Sequence, residues 1–142
     1  MSAKKVLLSI RTVQSVPGQR PEIMELQTEG TLTQHPDHVE LSYVESEMTG
    51  LEGVTTTFSV YGEDKVILTR HGEKLNNEMQ FFLGEKTDSL YDVGFGALLI
   101  TVCAREIHLD LQKGEFQVSY TVEVEHTPMG TNTYVVRFRD MA

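Results

Sequence analysis

The sequence predicts an all-β fold, a single up-and-down antiparallel barrel of about eight to ten strands. Three observations carry this. Apolar and polar residues alternate with period two along much of the chain. The clearest case is 115–126, where Phe116, Val118, Tyr120, Val122 and Val124 share one face and Glu115, Gln117, Ser119, Thr121, Glu123 and Glu125 the other. Turn residues interrupt the alternation at short intervals. No segment carries helical periodicity alone, since the best case, 20–29, fits a strand equally well. Short links favour a closed barrel over a sandwich, whose Greek-key crossovers are long, and closure removes exposed strand edges.

Taken in order, Val6, Leu8 and Ile10 share a face in the first strand, which Pro17-Gly18 turns. Met24, Leu26 and Leu32 form the next face, with Gly30 read as a bulge or bend and His35-Pro36-Asp37 as the end. In 39–46, Val39, Leu41 and Tyr43 align, and Glu45 continues their face. Met48–Gly53 forms a hairpin tip before 54–61, where Val54, Thr56, Phe58 and Val60 oppose Thr55, Thr57, Ser59 and Tyr61. Gly62-Glu63-Asp64 is a tight turn into 65–71, where Val66 and Leu68 share a face with Arg70. His71-Gly72 through Asn77 separates this strand from 79–83, with Met79, Phe81 and Leu83 together. Segment 84–96 reads as looser, with Gly84, Gly94 and Gly96 around Leu90-Tyr91. The apolar run at Ala97–Ala104 follows, then the Lys113-Gly114 turn. Pro128-Met129-Gly130 reads as the last turn, before Tyr134, Val136 and Phe138 opposed by Thr133, Arg137 and Arg139. The inward phase near Gly30 and Gly94 stays open, because one bulge reverses every residue beyond it. With no repeat, linker or composition break, residues 1–142 read as one domain.

Composition removes several function classes. The 142 residues carry 12 Lys+Arg against 21 Asp+Glu, a net charge of −9. That balance, without a basic cluster, argues against a nucleic-acid partner. One cysteine excludes an internal disulfide and a Cys-based zinc cage. Cys103 lies in the apolar run and reads as a small core residue suited to a reducing compartment. Lys4 and Lys5 precede Val6-Leu7-Leu8, but Arg11 ends that run too early for a secretion signal. No apolar stretch is long enough for a membrane helix. A cytoplasmic location with no membrane partner is the expectation.

Few constellations carry chemistry. His35-x-x-His38 with Asp37 has metal-like spacing, but no third ligand is indicated beside Pro36, so it reads as a solvated turn. His71, His108 and His126 fall at turns or on polar faces. Glu123 and Glu125 are spaced as a carboxylate pair but face outward. Gly94-x-Gly96 precedes no helix, and no Gly-x-Ser-x-Gly elbow occurs. No cofactor or metal is implied. The informative residues are the polar ones on apolar faces, Glu45 and Arg70. Both stand close to turns, which favours side chains that reach solvent. Alternatively they enter the barrel, where an unpaired charge is costly, and meet directly or through water. Tyr43 and Tyr120 would then add hydroxyls, and Tyr91 would cap the pocket. Exposure decides between the two.

The ordered series Leu41-x-Tyr43-x-Glu45, Thr56-Thr57, Val66-x-Leu68-x-Arg70-x-Gly72 and Met79-x-Phe81-x-x-Gly84 continues through Tyr91, Gly96 and Thr101. With Gly114 to Tyr120 and 134–138, it resembles the YwiB-like family of small bacterial proteins of unknown function. Asp92-Val93 departs from the small polar residue and Pro expected after Tyr91. The resemblance implies a calycin-type (lipocalin-like) barrel, a cytoplasmic location, an internal cavity and no established activity. Three functions follow. In the first, the barrel binds a small apolar or amphipathic molecule, with Tyr43, Glu45, Arg70, Phe81, Tyr91 and Tyr120 as ligand-binding residues. Phe58, Phe116, Met79 and Val122 would share the lining. In the second, the barrel is filled and acts as a homodimer through Tyr61, Phe82 and Leu99. In the third, an enzyme uses the inward Glu, Arg and Tyr set for acid/base work; no nucleophile or metal set supports it.

Overall fold

The computed structural model describes residues 2–62, 65–73, 75–92 and 96–141, with Met48 by its backbone only. Strands β1 (Ser2–Ser15), β2 (Glu22–Gln34), β3 (Val39–Val44), β4 (Thr55–Tyr61) and β5 (Lys65–His71) are followed by β6 (Asn76–Phe82), β7 (Lys86–Asp92), β8 (Ala97–Asp110), β9 (Glu115–Val124) and β10 (Thr127–Asp140). Each pairs antiparallel with the next, and β1 joins both β2 and β10, closing the barrel. The fold is the all-β, up-and-down barrel that the alternation predicts. One end holds the β2–β3, β4–β5, β6–β7 and β8–β9 connections and both chain termini; it is called the closed end. The other holds the remaining connections, including a 3-10 turn at Glu47–Thr49.

Alternation fills the closed half. Leu8, Leu41, Phe58, Val60, Val66, Leu68, Phe116, Val118 and Val136 are all buried in one core cluster. Phe58 meets Phe116 edge to face, with ring centroids 5.4 Å apart. Each such side chain contributes about 1.5–3 kcal/mol relative to exposure. Cys103 is also buried, with a free thiol.

Several local expectations change. Gly30 is not a bulge: β1 and β2 stay in continuous register through Val6↔Gly30, and the inward phase passes through it unchanged. Its lack of a side chain serves a close approach instead, since a Cβ there would stand 2.6 Å from Leu8 Cδ1 and 2.7 Å from the Ser42 carbonyl oxygen. Segment 84–96 contains a regular strand, β7, paired with β8 over Lys86–Asp92. Leu83 leaves the interior at the β6–β7 hairpin and is exposed, while Asn76 and Asn77 already belong to β6. Pro128-Met129-Gly130 is not a turn. The chain reverses at Glu125-His126, both with positive φ (49° and 67°), and the bulge between Pro128 and Gly130 lies inside β10. Glu125 is held there twice: its N–H donates to Leu99 O at 2.9 Å, and its Oε1 accepts from Leu99 N at 2.8 Å. A second bulge, between Ala104 and Glu106, returns Ile107 and Leu109 to the interior of β8. The Glu63-Asp64 part of the predicted turn, Val93 and Gly94 lie outside the described residues.

The seam between β6 and β7 differs from the others. Among the described residues, its backbone pairing is confined to Asn76↔Asp92. Side chains bridge the rest: Asn77 Nδ2 donates to Leu90 O at 3.2 Å, and the Thr87 hydroxyl donates to Gln80 O at 2.5 Å.

Candidate functional site

The strand phases that fill the closed half leave the other half hollow. There the inward positions include tyrosine, threonine, glutamate and arginine beside aliphatic residues and, among the described residues, no phenylalanine. The result is a cavity of about 300 Å³. Its apolar wall comes from Ile10, Leu26, Met79, Ile100 and Val122, and the loop residues Thr49 and Leu51 stand at its mouth.

Five of the six residues singled out from the sequence line this cavity: Tyr43, Glu45, Arg70, Tyr91 and Tyr120. Phe81 does not. It is buried in the packed core, its ring tilted against Tyr120 with centroids 4.5 Å apart. Phe58 and Phe116 likewise belong to the filled half, because the inward step from Arg70 to Leu68 and Val66 already reaches the solid core. The barrel is therefore neither wholly hollow nor wholly filled.

Neither Glu45 nor Arg70 is the exposed side chain that its nearness to a turn suggests: Glu45 is buried and Arg70 half-buried. Glu45 is only 4% exposed, and Arg70 Nε is shielded completely. The loop after β3 folds back, with Glu45 N–H donating to Val54 O at 2.8 Å, so the residue stays within the wall. Nor do the two meet directly, as no ion pair joins them. Each has its own partner instead. The Thr56 hydroxyl donates to Glu45 Oε2 at 2.6 Å. Arg70 Nη2 donates to the Tyr134 hydroxyl oxygen at 2.7 Å. This leaves Glu45 Oε1 and Arg70 Nε buried without a hydrogen-bond partner. Buried polar atoms are nearly always paired, so two such atoms on one cavity wall, of opposite charge, are unusual.

The phenols complete the electrostatics. Burial pushes the Tyr43 hydroxyl well above the ordinary tyrosine range, and the neighbouring Glu45 carboxylate adds to this. Burial does the same to Tyr120, with Tyr134 beside it. Both are neutral hydrogen-bonding groups at any physiological pH. The Tyr134 oxygen against Arg70 holds the guanidinium firmly protonated, overcoming the opposite effect of burial. The cavity thus presents one fixed cation, one carboxylate and a row of neutral hydroxyls above an apolar floor. Among the described residues its lining holds no serine, cysteine, lysine or histidine.

Sequence reasoning passed over Tyr134, Thr56 and Asn132. The signal was present, since all three occupy the inward phase of strands already recognised. Tyr134 follows the rule that selected Tyr43 and Tyr120, and Asn132, two residues earlier, donates to the Tyr120 hydroxyl at 3.4 Å.

Comparison with curated proteins yields no match. The crystal structure of the ywiB protein from Bacillus subtilis is similar in fold, with a TM-score of 0.77 and 24% identity, covering 95% of this chain and 92% of that one. The family described as a domain of unknown function, DUF1934, matches residues 8–136, and with that span matched the chain belongs to the DUF1934 family.

Proposed function

We propose that the protein binds a small amphipathic molecule in the open half of its barrel. One observation carries this reading: Glu45 and Arg70 line the same cavity, and each holds one buried polar atom without a partner, Glu45 Oε1 and Arg70 Nε. An unmet buried acceptor or donor costs about 1–3 kcal/mol, more when charged. A molecule that supplies a donor to Glu45 and an acceptor to Arg70 recovers both costs. Its polar end carries an acceptor such as a carboxylate or carbonyl, beside a hydroxyl or amine. Its apolar body rests on Leu26, Met79 and Ile100. A cavity near 300 Å³ stands at the small end of ligand pockets, roughly 300–1,000 Å³, so the ligand is compact. Calycin-like carriers offer a fold-level analogy for this use of a barrel. A cytoplasmic setting fits the single free thiol of Cys103, and the exposed polar positions Glu25, Gln27 and Glu29 on the outside of β2 suit water.

The test is ligand-observed NMR with a set of small hydroxy-acids, amino acids and aliphatic acids, on the wild type and on Arg70→Met. The expected result is a subset of binders that protect the cavity residues and lose at least about tenfold in affinity in the variant, since a charge-assisted hydrogen bond is worth about 1.5–3 kcal/mol. Binders whose affinity is unchanged by Arg70→Met, or a set with no binder, would sink the reading.

A further inference from the structure

A second polar cluster lies at the closed end, away from the cavity. Gln34 ends β2, Val39 begins β3, and His35 N–H donates to His38 O at 2.9 Å across the turn. This tight reversal puts both imidazoles on one side, stacked with centroids 4.3 Å apart and planes 8° from parallel. Tyr61 stacks on His38 at 4.4 Å, and Lys65 Nζ stands 4.5 Å over the Tyr61 ring. The strand alternation then sends Glu40 to the same side. Its Oε1 is 3.0 Å from His35 Nε2 and 3.0 Å from His38 Nε2. Glu40 is the third donor that the His-x-x-His spacing alone does not indicate.

The hydrogen-bond bookkeeping of this cluster does not close with protein atoms alone. His38 Nδ1 is 2.6 Å from Asp37 Oδ1, and its Nε2 faces Glu40. Carboxylates only accept, so His38 satisfies both only as an imidazolium. His35 Nε2 is sealed from solvent, yet makes no well-directed hydrogen bond even to Glu40 at 3.0 Å. A metal ion removes both difficulties. Neutral His38 then donates Nδ1–H to Asp37 and turns the Nε2 lone pair to the ion, the carboxylate–histidine–metal arrangement. His35 Nε2 gains a use for its lone pair. The three donor atoms lie within 4.8 Å of one another. Donors on a tetrahedral ion at bond lengths of about 2.0–2.2 Å stand about 3.3–3.6 Å apart. The 3.0 Å spacings of Glu40 from each imidazole are near this, and the stacked rings must turn out of parallel for both Nε2 lone pairs to reach one ion.

We propose that His35, His38 and Glu40 bind one divalent transition-metal ion of the zinc class, with Asp37 positioning His38. Two nitrogens and one carboxylate oxygen suit zinc, cobalt and nickel over calcium or magnesium. The place suggests the purpose. β2 and β3 pair over only Thr31–Gln34 with Val39–Ser42, and an ion at their turn clips this short seam.

The test uses the full chain stripped with chelator and titrated with Co²⁺, followed by visible ligand-field absorption, with Zn²⁺ as competitor. The expected result is one equivalent of Co²⁺, displaced by Zn²⁺, with the imidazole NMR signals of His35 and His38, among the five histidines, shifted in the diamagnetic Zn²⁺ form. Glu40→Gln and His38→Ala should abolish the signal, and Asp37→Asn should weaken binding by about 10–100-fold. His108→Ala is the control, because His108 and its neighbour Glu106 are exposed on another strand. Far-ultraviolet circular dichroism establishes that each variant is folded, and Glu40, on the outer face, tolerates glutamine without loss of core. A titration that saturates only at millimolar Co²⁺, or one unchanged by Glu40→Gln, overturns the proposal and leaves the cluster an imidazolium held by two carboxylates.

Discussion

Tyr134→Phe removes one oxygen and keeps the ring that packs edge-on against Phe58 at 5.6 Å. That oxygen accepts the hydrogen bond from Arg70 Nη2 at 2.7 Å, and Arg70 Nε already lacks a partner. The substitution therefore leaves a shielded guanidinium with less than it has now, while apolar burial hardly changes. A hydrogen bond to a charged group contributes about 1.5–3 kcal/mol. Taking about 2 kcal/mol, and about 3–4 °C per kcal/mol for a chain of this length, the midpoint falls by about 6–8 °C. Urea unfolding followed by far-ultraviolet circular dichroism measures the free energy. The same exchange in an Arg70→Met background isolates the pair, because the hydroxyl then has no cation to serve. There the loss should shrink to about 0.5 kcal/mol or less, the level at which distant sites add. Equal losses in both backgrounds, or no loss in the wild type, would refute the claim that this phenol holds Arg70 in the cavity wall.

Further outcomes follow from other positions. Gly30→Ala places a Cβ 2.7 Å from the Ser42 carbonyl oxygen, a backbone atom with little room to yield, and should cost about 1–3 kcal/mol by urea unfolding; an unchanged midpoint would mean that β2 and β3 are not in close approach there. Asn77→Ala deletes the bridge to Leu90 O, so amide exchange in 86–91 should quicken well before that of β1 and β2; uniform quickening would show that the β6–β7 seam is no weaker than the rest. Spectrophotometric titration should leave Tyr43 and Tyr120, of five tyrosines, neutral until the fold is lost. Their folded values are raised, so their stabilising contribution is complete below the ordinary value of about 10 and is lost as pH climbs above it. Reversible ionisation of all five near pH 10 with the fold intact would contradict the burial described.

Period-two alternation was enough to read the barrel, because interior and exterior positions must exchange at every residue of every strand. The same rule singled out Glu45 and Arg70, but it could not say whether they reach water. That depended on Glu45 N–H bonding back to Val54 O, a contact made by a loop whose path no periodicity describes. The two bulges were illegible for a related reason. An extra residue at Arg105 or Met129 leaves composition unchanged and shows only in the register of the partner strand. The Glu125-His126 reversal hid behind ordinary residues, since the left-handed conformation usually signalled by glycine is enforced there by two hydrogen bonds to Leu99. Phe81 was misplaced because phase gives the face of a strand and not the depth along the barrel. Depth matters here, since the filled and hollow halves meet within one strand, between Leu68 and Arg70.

That boundary bears on why the charged residues are tolerated at all. A buried ion pair in direct contact would offset part of its own desolvation. Glu45 and Arg70 forgo that contact: the hydroxyl groups of Thr56 and Tyr134 hold each of them, leaving one carboxylate oxygen and one guanidinium nitrogen unmet. Stability alone gives no reason for this, because closing the pair or replacing both with apolar residues would serve the fold better. The packed half, with its ring of fully buried aliphatic and aromatic side chains, is what makes the cost bearable. On the ligand-binding proposal, the closed half carries the stability and the other half holds two charges apart for a third component to stand between them. In that proposal Tyr43 and Tyr120, neutral and buried, orient the component without competing for its charge.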